Sequence, residues 1–314
     1  MIQQNVTMKA VICPKYGPPE VLTIRELSRP SPNKNEALIK IIASSVNTGD
    51  VRIRGLRVEG FMKFVMRIMM GFTKPRRPIL GTVFSGIVEQ VGEAVTRFKV
   101  GDEVYGTTGL KQGCHAEYLS ISEKKVITNK PGNATFEEAA ALPFGGQTAI
   151  YFLRKGKIAE INNPQVLIYG ATGSVGTAAV QIAKHYGATV TAVCGSKGKE
   201  LGQALGADNI ILYDQEDFTK VSDKFDIILD AVGKINKKQC KTLLKPNGKL
   251  FTVEGTDISS ERTEYLEFLR QLFENKNYNA IIDKVYPMEQ VVEAHRYVDT
   301  GRKKGNVVLK TTPN

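Results

Sequence analysis

The chain has 314 residues, 42% of them hydrophobic and 24% charged, enough for two domains and a substantial core and typical of an ordinary soluble globular protein. Its four cysteines, Cys13, Cys114, Cys194 and Cys240, lie far apart with no C-x-x-C pair, which argues against a disulfide scaffold and for thiols in a reducing compartment. The net charge of +11 is spread over short clusters (Lys74–Arg77, Arg154–Lys157, Lys237–Lys245, Arg302–Lys304) without interleaved aromatics, so a solvated surface accounts for it better than nucleic acid.

Residues 8–130 read as β-rich. MKAVIC, LTIREL and EALIKIIASSV are short alternating runs split by GPPE and RPSPNKN, and ILGTVFSGIVEQVG, VGDEVYG and AEYLSIS continue the pattern. Between them, Gly60–Gly71 encloses FMKFVMRIMM, where Phe61, Phe64, Val65, Ile68 and Phe72 recur at helical spacing among four methionines. That segment reads as an adaptable apolar lid, as core packing, or as a peripheral membrane contact. After Pro131 the texture becomes helical, opening on a capping Thr135 and interrupted at Pro143.

Val166–Tyr169 is then a buried strand that runs straight into Gly170-Ala171-Thr172-Gly173-Ser174-Val175-Gly176 and an apolar-periodic helix. Strand, glycine turn and helix form the context of a dinucleotide cradle, although Ala171 stands where G-x-G-x-x-G has its first glycine. Gly173 lets backbone approach a pyrophosphate, Gly176 lets the helix sit close to the strand, and the first helical turn offers its N–H groups to the phosphates. Strands at Ala188–Cys194, Asn209–Leu212, Phe225–Asp230 and Lys249–Val253, with helices between, predict a doubly wound parallel sheet. The tail returns to strand-like AIIDKVYP and NVVLKT around a helix over Met288–Asp299. No stretch has a signal-peptide layout or the length to span a bilayer, so a cytoplasmic protein is expected.

SSVNTGDVRIRG, ILGTVFSGIVEQVGEAVTRFKVGDEVYG, EEAAALPFGGQTA, IYGATGSVG, LGADNIILY, DAVG and GNVVLK appear in that order, and the chain resembles the medium-chain dehydrogenase/reductase family in its zinc-free quinone oxidoreductase (zeta-crystallin-like) branch. The resemblance implies an α/β protein: a GroES-like β-barrel catalytic domain over 1–130, a Rossmann domain over 131–275, and a return to the catalytic domain over 276–314, with the active site in the cleft between them. After Val253 the chain passes almost at once into ERTEYLEFLRQLFENKNY, leaving the Rossmann sheet one strand short of its relatives. Because that strand often pairs across the family's dimer, monomer and homodimer both stay open.

The second strand of the cradle ends Cys194-Gly195-Ser196-Lys197, with no acid at its tip. NAD sites place a carboxylate there, about 20 residues past the glycines. A hydroxyl and an ammonium suit a 2′-phosphate instead, so NADPH is expected, with Ser196 and Lys197 as its ligands. The resemblance adds Tyr213 beside the adenosine, Asn47 and Thr148 near the nicotinamide ribose and phosphate, Val232 and Gly233 at the nicotinamide end, and Asn306 closing over the cofactor. Thr148 reads equally as a helix residue bonding its own backbone.

Zinc alcohol dehydrogenases, which the chain is similar to, carry cysteine where Asn47 stands and a His-Glu pair where Thr82-Val83 stands, and the structural zinc lobe is missing. Three scattered histidines, His115, His185 and His295, do not make a ligand set, so no metal is expected. Without a Lewis acid, quinones and α,β-unsaturated carbonyls are easier hydride acceptors than saturated ketones. The expected activity is NADPH-dependent reduction of those acceptors, with Asn47, Tyr118 or Tyr151 donating to the developing oxyanion. The alternative is a non-catalytic NADPH-binding protein, a redox sensor or an RNA-associated crystallin-like protein.

Overall fold

The computed structural model describes residues 6–56, 67–254 and 257–311. In chain order its strands are β1 (Thr7–Ile12), β2 (Thr23–Ser28), β3 (Glu36–Val46), β4 (Val83–Val91), β5 (Glu103–Thr107), β6 (Tyr118–Ser122) and β7 (Ile127–Asn129). There follow β8 (Gln165–Tyr169), β9 (Thr189–Cys194), β10 (Asn209–Leu212), β11 (Phe225–Asp230) and β12 (Leu244–Thr252), then β13 (Ile282–Pro287) and β14 (Asn306–Lys310). Two compact units result, one from the described residues up to Pro143 together with those from Ile282 onward, the other from Phe144–Ile281.

In the first unit β3 is the hub of a seven-stranded sheet ordered β13-β14-β3-β4-β5-β7, with β6 also paired to β3. Its sequence, EALIKIIASSV, carries apolar residues at consecutive positions because most of its length is buried, so the simple alternation of a half-exposed strand is absent. β1 and β2 form a separate antiparallel pair, from Thr7↔Ser28 to Ile12↔Thr23. The tail strand β14 lies antiparallel on β3, with Val307 opposite Val46. One core cluster gathers Val46, Val51 and Ile53 with Val291, Ala294, Val298, Val307 and Leu309. It therefore joins helix α1 (Thr48–Gly55) to a late helix over Val291–Asp299.

Helix α2 (Phe136–Ala141) opens on the expected Thr135 capping box, and its chain breaks before Pro143, which starts α3 (Pro143–Lys155) as proline can at a first helical position. Helix α2 lies on β3, β4 and β14.

The second unit holds a parallel five-stranded sheet ordered β10-β9-β8-β11-β12. Val166, Leu167 and Ile168 at its centre have no exposed surface, as the unbroken apolar run of β8 requires. Helix α4 (Ser174–His185) is buried from Ser174 to Ala183, so it is a core element. Helices α5 (Lys199–Ala204), α6 (Lys237–Cys240) and α7 (Thr263–Glu274) complete the unit, and the helix over Val291–Asp299 is α8. Among the described residues β12 is an edge strand, and Lys245, Pro246 and Lys249 on it are the residue types that blunt strand addition. No helix among the described residues is long and apolar enough to cross a membrane.

Candidate active site

Because the sheet of the second unit is parallel, the ends of its strands meet along one edge. Strand order reverses direction between β8 and β11, and in open α/β sheets ligands bind off the strand ends at such a point. β8 runs there into Gly170, whose φ of +77° a side chain would resist and whose added Cβ would lie 2.1 Å from Val232 Cγ2. Val232 therefore leans over the glycine turn. The turn is pinned by the Gly170 and Ala171 N–H groups, which donate to the Val193 carbonyl at 2.9 and 3.1 Å. Gly173 is the N-cap of α4, and the nearest atom to a Cβ on it is 3.7 Å away, so its face is open. Gly176 is the opposite case: a Cβ would stand 2.1 Å from the Gly170 carbonyl oxygen. Ala171, Ser174 and Val175 are buried beneath the turn, and Thr172 is partly exposed.

The Val232–Gly233 loop is folded by a residue that sequence reading left without a role. The fully buried Asp230 ends β11, and its carboxylate accepts from the N–H groups of Val232 (3.0 Å), Gly233 (2.8 Å) and Ile235 (3.0 Å) and from Thr252 Oγ1 (3.3 Å). Aspartate directly at the end of a strand and three residues before a glycine is the available signal for this arrangement, since it can serve several successive backbone donors.

At the tip of β9, Ser196 is partly exposed and Lys197 exposed. The expectation of no acid at this tip needs correction. β10 lies beside β9, with Leu212 opposite Cys194, and carries Asp214 to Ser196, 18 residues earlier in the chain. Asp214 accepts from the Ser196 N–H and hydroxyl, and these two donors hold its carboxyl below the usual aspartate range. Tyr213 is half-exposed, with its ring tilted over Tyr169 at 6.1 Å between centroids.

Other expected site residues are committed to local bonds. Thr148 Oγ1 donates to the Phe144 carbonyl at 2.8 Å, the within-helix bond already open as an alternative. Tyr151 donates its hydroxyl to Asp257 Oδ1 at 2.8 Å, and this bond raises the phenol's pKa above the usual value. In the first unit, Tyr118 has the Arg29 guanidinium 4.0 Å over its ring, and burial first, then the Glu89 charge, raises its pKa.

Asn47 caps α1 and is buried. Its Oδ1 accepts from the Asp50 N–H (3.1 Å), Asp50 Oδ2 accepts from its N–H (2.9 Å), and its Nδ2 donates to Thr82 Oγ1 (2.9 Å). An amide carries two N–H donors, and Thr82 takes one. Asp50 has no exposed surface, and burial pushes its carboxyl up to about 7 against the N–H donors of Asn47 and Gly81. Asn306, also buried, lies one position beyond the Val46–Val307 pair, so the ladder brings it next to Asn47.

Around Asn47 stand its own amide, the Thr82 hydroxyl and a single carboxylate, Asp50, which is already taken up by backbone N–H groups, a set poor in the thiolate and imidazole ligands zinc favours. Among the described residues no group of three or more His, Cys, Asp or Glu side chains is placed to hold a metal. The four cysteines are buried and none forms a disulfide. His115 and His295, isolated in sequence, meet edge to face at 5.7 Å in the first unit. Burial lowers His115 to about 4 and His295 well below its usual value, so both stay neutral. Of the apolar segment 60–72, residues 60–66 lie outside the described residues. In the remainder Met70 is buried in the core, whereas Ile68, Met69 and Phe72 are exposed.

The profile of a family described as alcohol dehydrogenase GroES-like domain matches residues 33–143, and two described as zinc-binding dehydrogenase match 174–282 and 256–309. A 2-methylene-furan-3-one reductase of Solanum lycopersicum is 34% identical over 98% of this chain and 80% of its own length. An NADPH-dependent alkenal/one oxidoreductase of Arabidopsis thaliana, described as chloroplastic, is 30% identical with the same coverage. The structure of a quinone oxidoreductase from Coxiella burnetii superimposes with a TM-score of 0.86 at 29% identity, covering 98% of this chain and all of that one.

Proposed function

The chain belongs to the medium-chain dehydrogenase/reductase family, and from that premise we propose that it is a zinc-independent, NADPH-dependent oxidoreductase of quinones or α,β-unsaturated carbonyls. The observation that carries the reading is the open Gly173 face at the start of a buried helix, set at the switch point of a parallel sheet. Ala171–Gly176 would hold the pyrophosphate, Ser196 and Lys197 the 2′-phosphate, Tyr213 the adenosine, and Thr148, Val232 and Gly233 the nicotinamide half. In the first unit, Asn47 and Asn306 are the assigned polar contacts. NADPH when bound supplies hydride from nicotinamide C4.

The protein's part is to orient the acceptor, exclude water and donate a hydrogen bond to the oxygen that gains charge. The second N–H of the Asn47 amide is the donor this reading favours, because Tyr118 and Tyr151 have charged neighbours that already engage them. Zinc alcohol chemistry is not assigned, since the Asn47 amide and Thr82 hydroxyl are poor ligands for it and the one carboxylate beside them, Asp50, serves backbone N–H groups. The expected result is NADPH oxidation with a quinone such as phenanthrenequinone, or with an enone, unaffected by chelators. Tight NADPH binding with no turnover across both substrate panels would return the non-catalytic alternative.

A second reading concerns the surface of the first unit. Exposed Ile68, Met69, Phe72 and Leu110 stand among exposed Arg67, Lys74, Arg76, Arg77 and Lys111, and residues 67–77 and 108–113 contain no acid. Six of the residues in these two segments, Met69, Met70, Arg76, Arg77, Leu110 and Lys111, line one cavity of about 330 Å³. Apolar side chains ringed by cations suit reversible contact with an anionic bilayer. Each cation near such a surface contributes about 1 kcal/mol, so Arg76→Glu with Arg77→Glu should lower sedimentation with phosphatidylserine vesicles by roughly thirtyfold or more at low salt. Equal sedimentation of both proteins would discard this contact.

A further inference from the structure

The β9 tip, assigned above to the adenosine ribose, contains a conflict. Leu212 pairs with Cys194 and the Tyr213 N–H donates to the Cys194 carbonyl at 3.0 Å, so Tyr213-Asp214 runs beside Gly195-Ser196. The Ser196 N–H lies 3.0 and 3.1 Å from the two Asp214 oxygens, and Ser196 Oγ donates to Oδ1 at 2.9 Å. Gln215 Nε2 donates to the same hydroxyl oxygen at 3.0 Å, which fixes the direction in which its proton points. Both donors that a phosphate would seek at this tip thus already serve an internal carboxylate. The hydrogen bonds hold that carboxyl below its ordinary range, so it is ionised at neutral pH.

A phosphate monoester carries nearly two negative charges at neutral pH and requires the same N–H and O–H groups. To bind, it must displace Asp214 from Ser196 and then lie beside its charge, with Lys197 as the opposing cation. A ribose 2′-hydroxyl has no such difficulty, because it donates to a carboxylate, the arrangement NAD sites use. NAD sites usually carry that acid on the second strand of the cradle, whereas here it arrives from the third.

We propose that Asp214 is a coenzyme-selectivity residue: by holding the Ser196 donors it disfavours a 2′-phosphate and accepts a 2′-hydroxyl, so this chain uses NADH alongside NADPH. The proposal rests on the reading that places the adenosine ribose at the β9 tip.

The test is equilibrium titration of the full chain with NADPH and with NADH, followed by nicotinamide fluorescence, for wild type, Asp214→Asn and Lys197→Glu. The side chain of Asp214 lies on an exposed loop, and Asp214→Thr serves as a second variant with a different shape. With one charge removed next to a phosphate, Asp214→Asn and Asp214→Thr should raise the NADPH preference, Kd(NADH)/Kd(NADPH), by about tenfold or more at low salt. The gain should shrink as salt screens the pair, and Lys197→Glu should move the ratio the other way. If Lys197→Glu shifts the ratio and neither Asp214 variant does, Asp214 has no selecting role, although the phosphate site stands. If all three variants leave the ratio unchanged, the placement of the ribose at this tip fails and the proposal falls with it.

Discussion

Gly176→Ala should weaken NADPH binding by about ten- to a hundredfold and lower the melting temperature by roughly 3–10 °C, whereas Gly173→Ala should weaken binding with little change in melting. The two glycines lie three positions apart in one turn, but their surroundings are opposite. A Cβ on Gly176 would stand 2.1 Å from the Gly170 carbonyl oxygen and 2.7 Å from the Cα and carbonyl carbon of Ala171. All three are backbone atoms of a turn tied to Val193, and the helix that would have to retreat is buried along most of its length. No flexible side chain can yield, so either the helix lifts off the sheet or the turn deforms. Both move the N–H groups to which the proposed phosphate binding is assigned. A Cβ on Gly173 meets nothing closer than 3.7 Å, and its φ of −81° suits alanine. It costs the fold little and projects into the space assigned to the pyrophosphate. Calorimetry and coenzyme titration on both variants decide the matter; equal melting temperatures for Gly176→Ala and wild type would refute the close-packing account.

Arg54→Met should cost about 3–5 kcal/mol, the usual price of removing one partner from a buried ion pair, and lower the melting temperature by roughly 6–15 °C. Arg54 lies in the last turn of α1 with no exposed surface. Its Nη2 donates to Asp299 Oδ2 at 2.6 Å and its Nε to the Gly17 carbonyl at 3.2 Å. One guanidinium therefore ties the end of α1 to the last residue of α8 and to the loop at Gly17. Methionine fills the space of the stem but leaves a mostly buried carboxylate and a carbonyl without that donor. Because Asn47 caps the other end of the eight-residue α1, turnover should fall along with stability. Adding Asp299→Leu should restore most of the loss, since an apolar pair avoids the desolvation of both charges. A single substitution costing less than about 1 kcal/mol by denaturant unfolding would show that the pair is not what holds α1.

The elements legible in the sequence are those whose causes are local. The run VLIY, the glycine turn after it and the apolar period of α4 are each set by residues within a turn or a strand length of one another. The Thr135 capping box and the break before Pro143 are likewise local bonds. The strand, the glycine turn and the helix are therefore legible in the sequence alone. The roles of individual polar side chains are not. Thr148 donates its hydroxyl proton to the Phe144 carbonyl within its own helix, which leaves only its acceptor capacity for any other partner. Asp230 stood within a recognised stretch, but its grip on three N–H groups depends on where β11 ends against Thr252 on β12.

By itself the sequence determined the strand–turn–helix unit, the parallel sheet around it and the amide at position 47, because periodicity, glycine and side-chain chemistry act over a few residues. Only the tertiary structure decided that Asp214 reaches Ser196, that His115 meets His295 and that Arg54 holds Asp299. Each of those pairs is closed by strand pairing or helix packing between distant stretches, and the energy of such a contact is not written in either stretch alone.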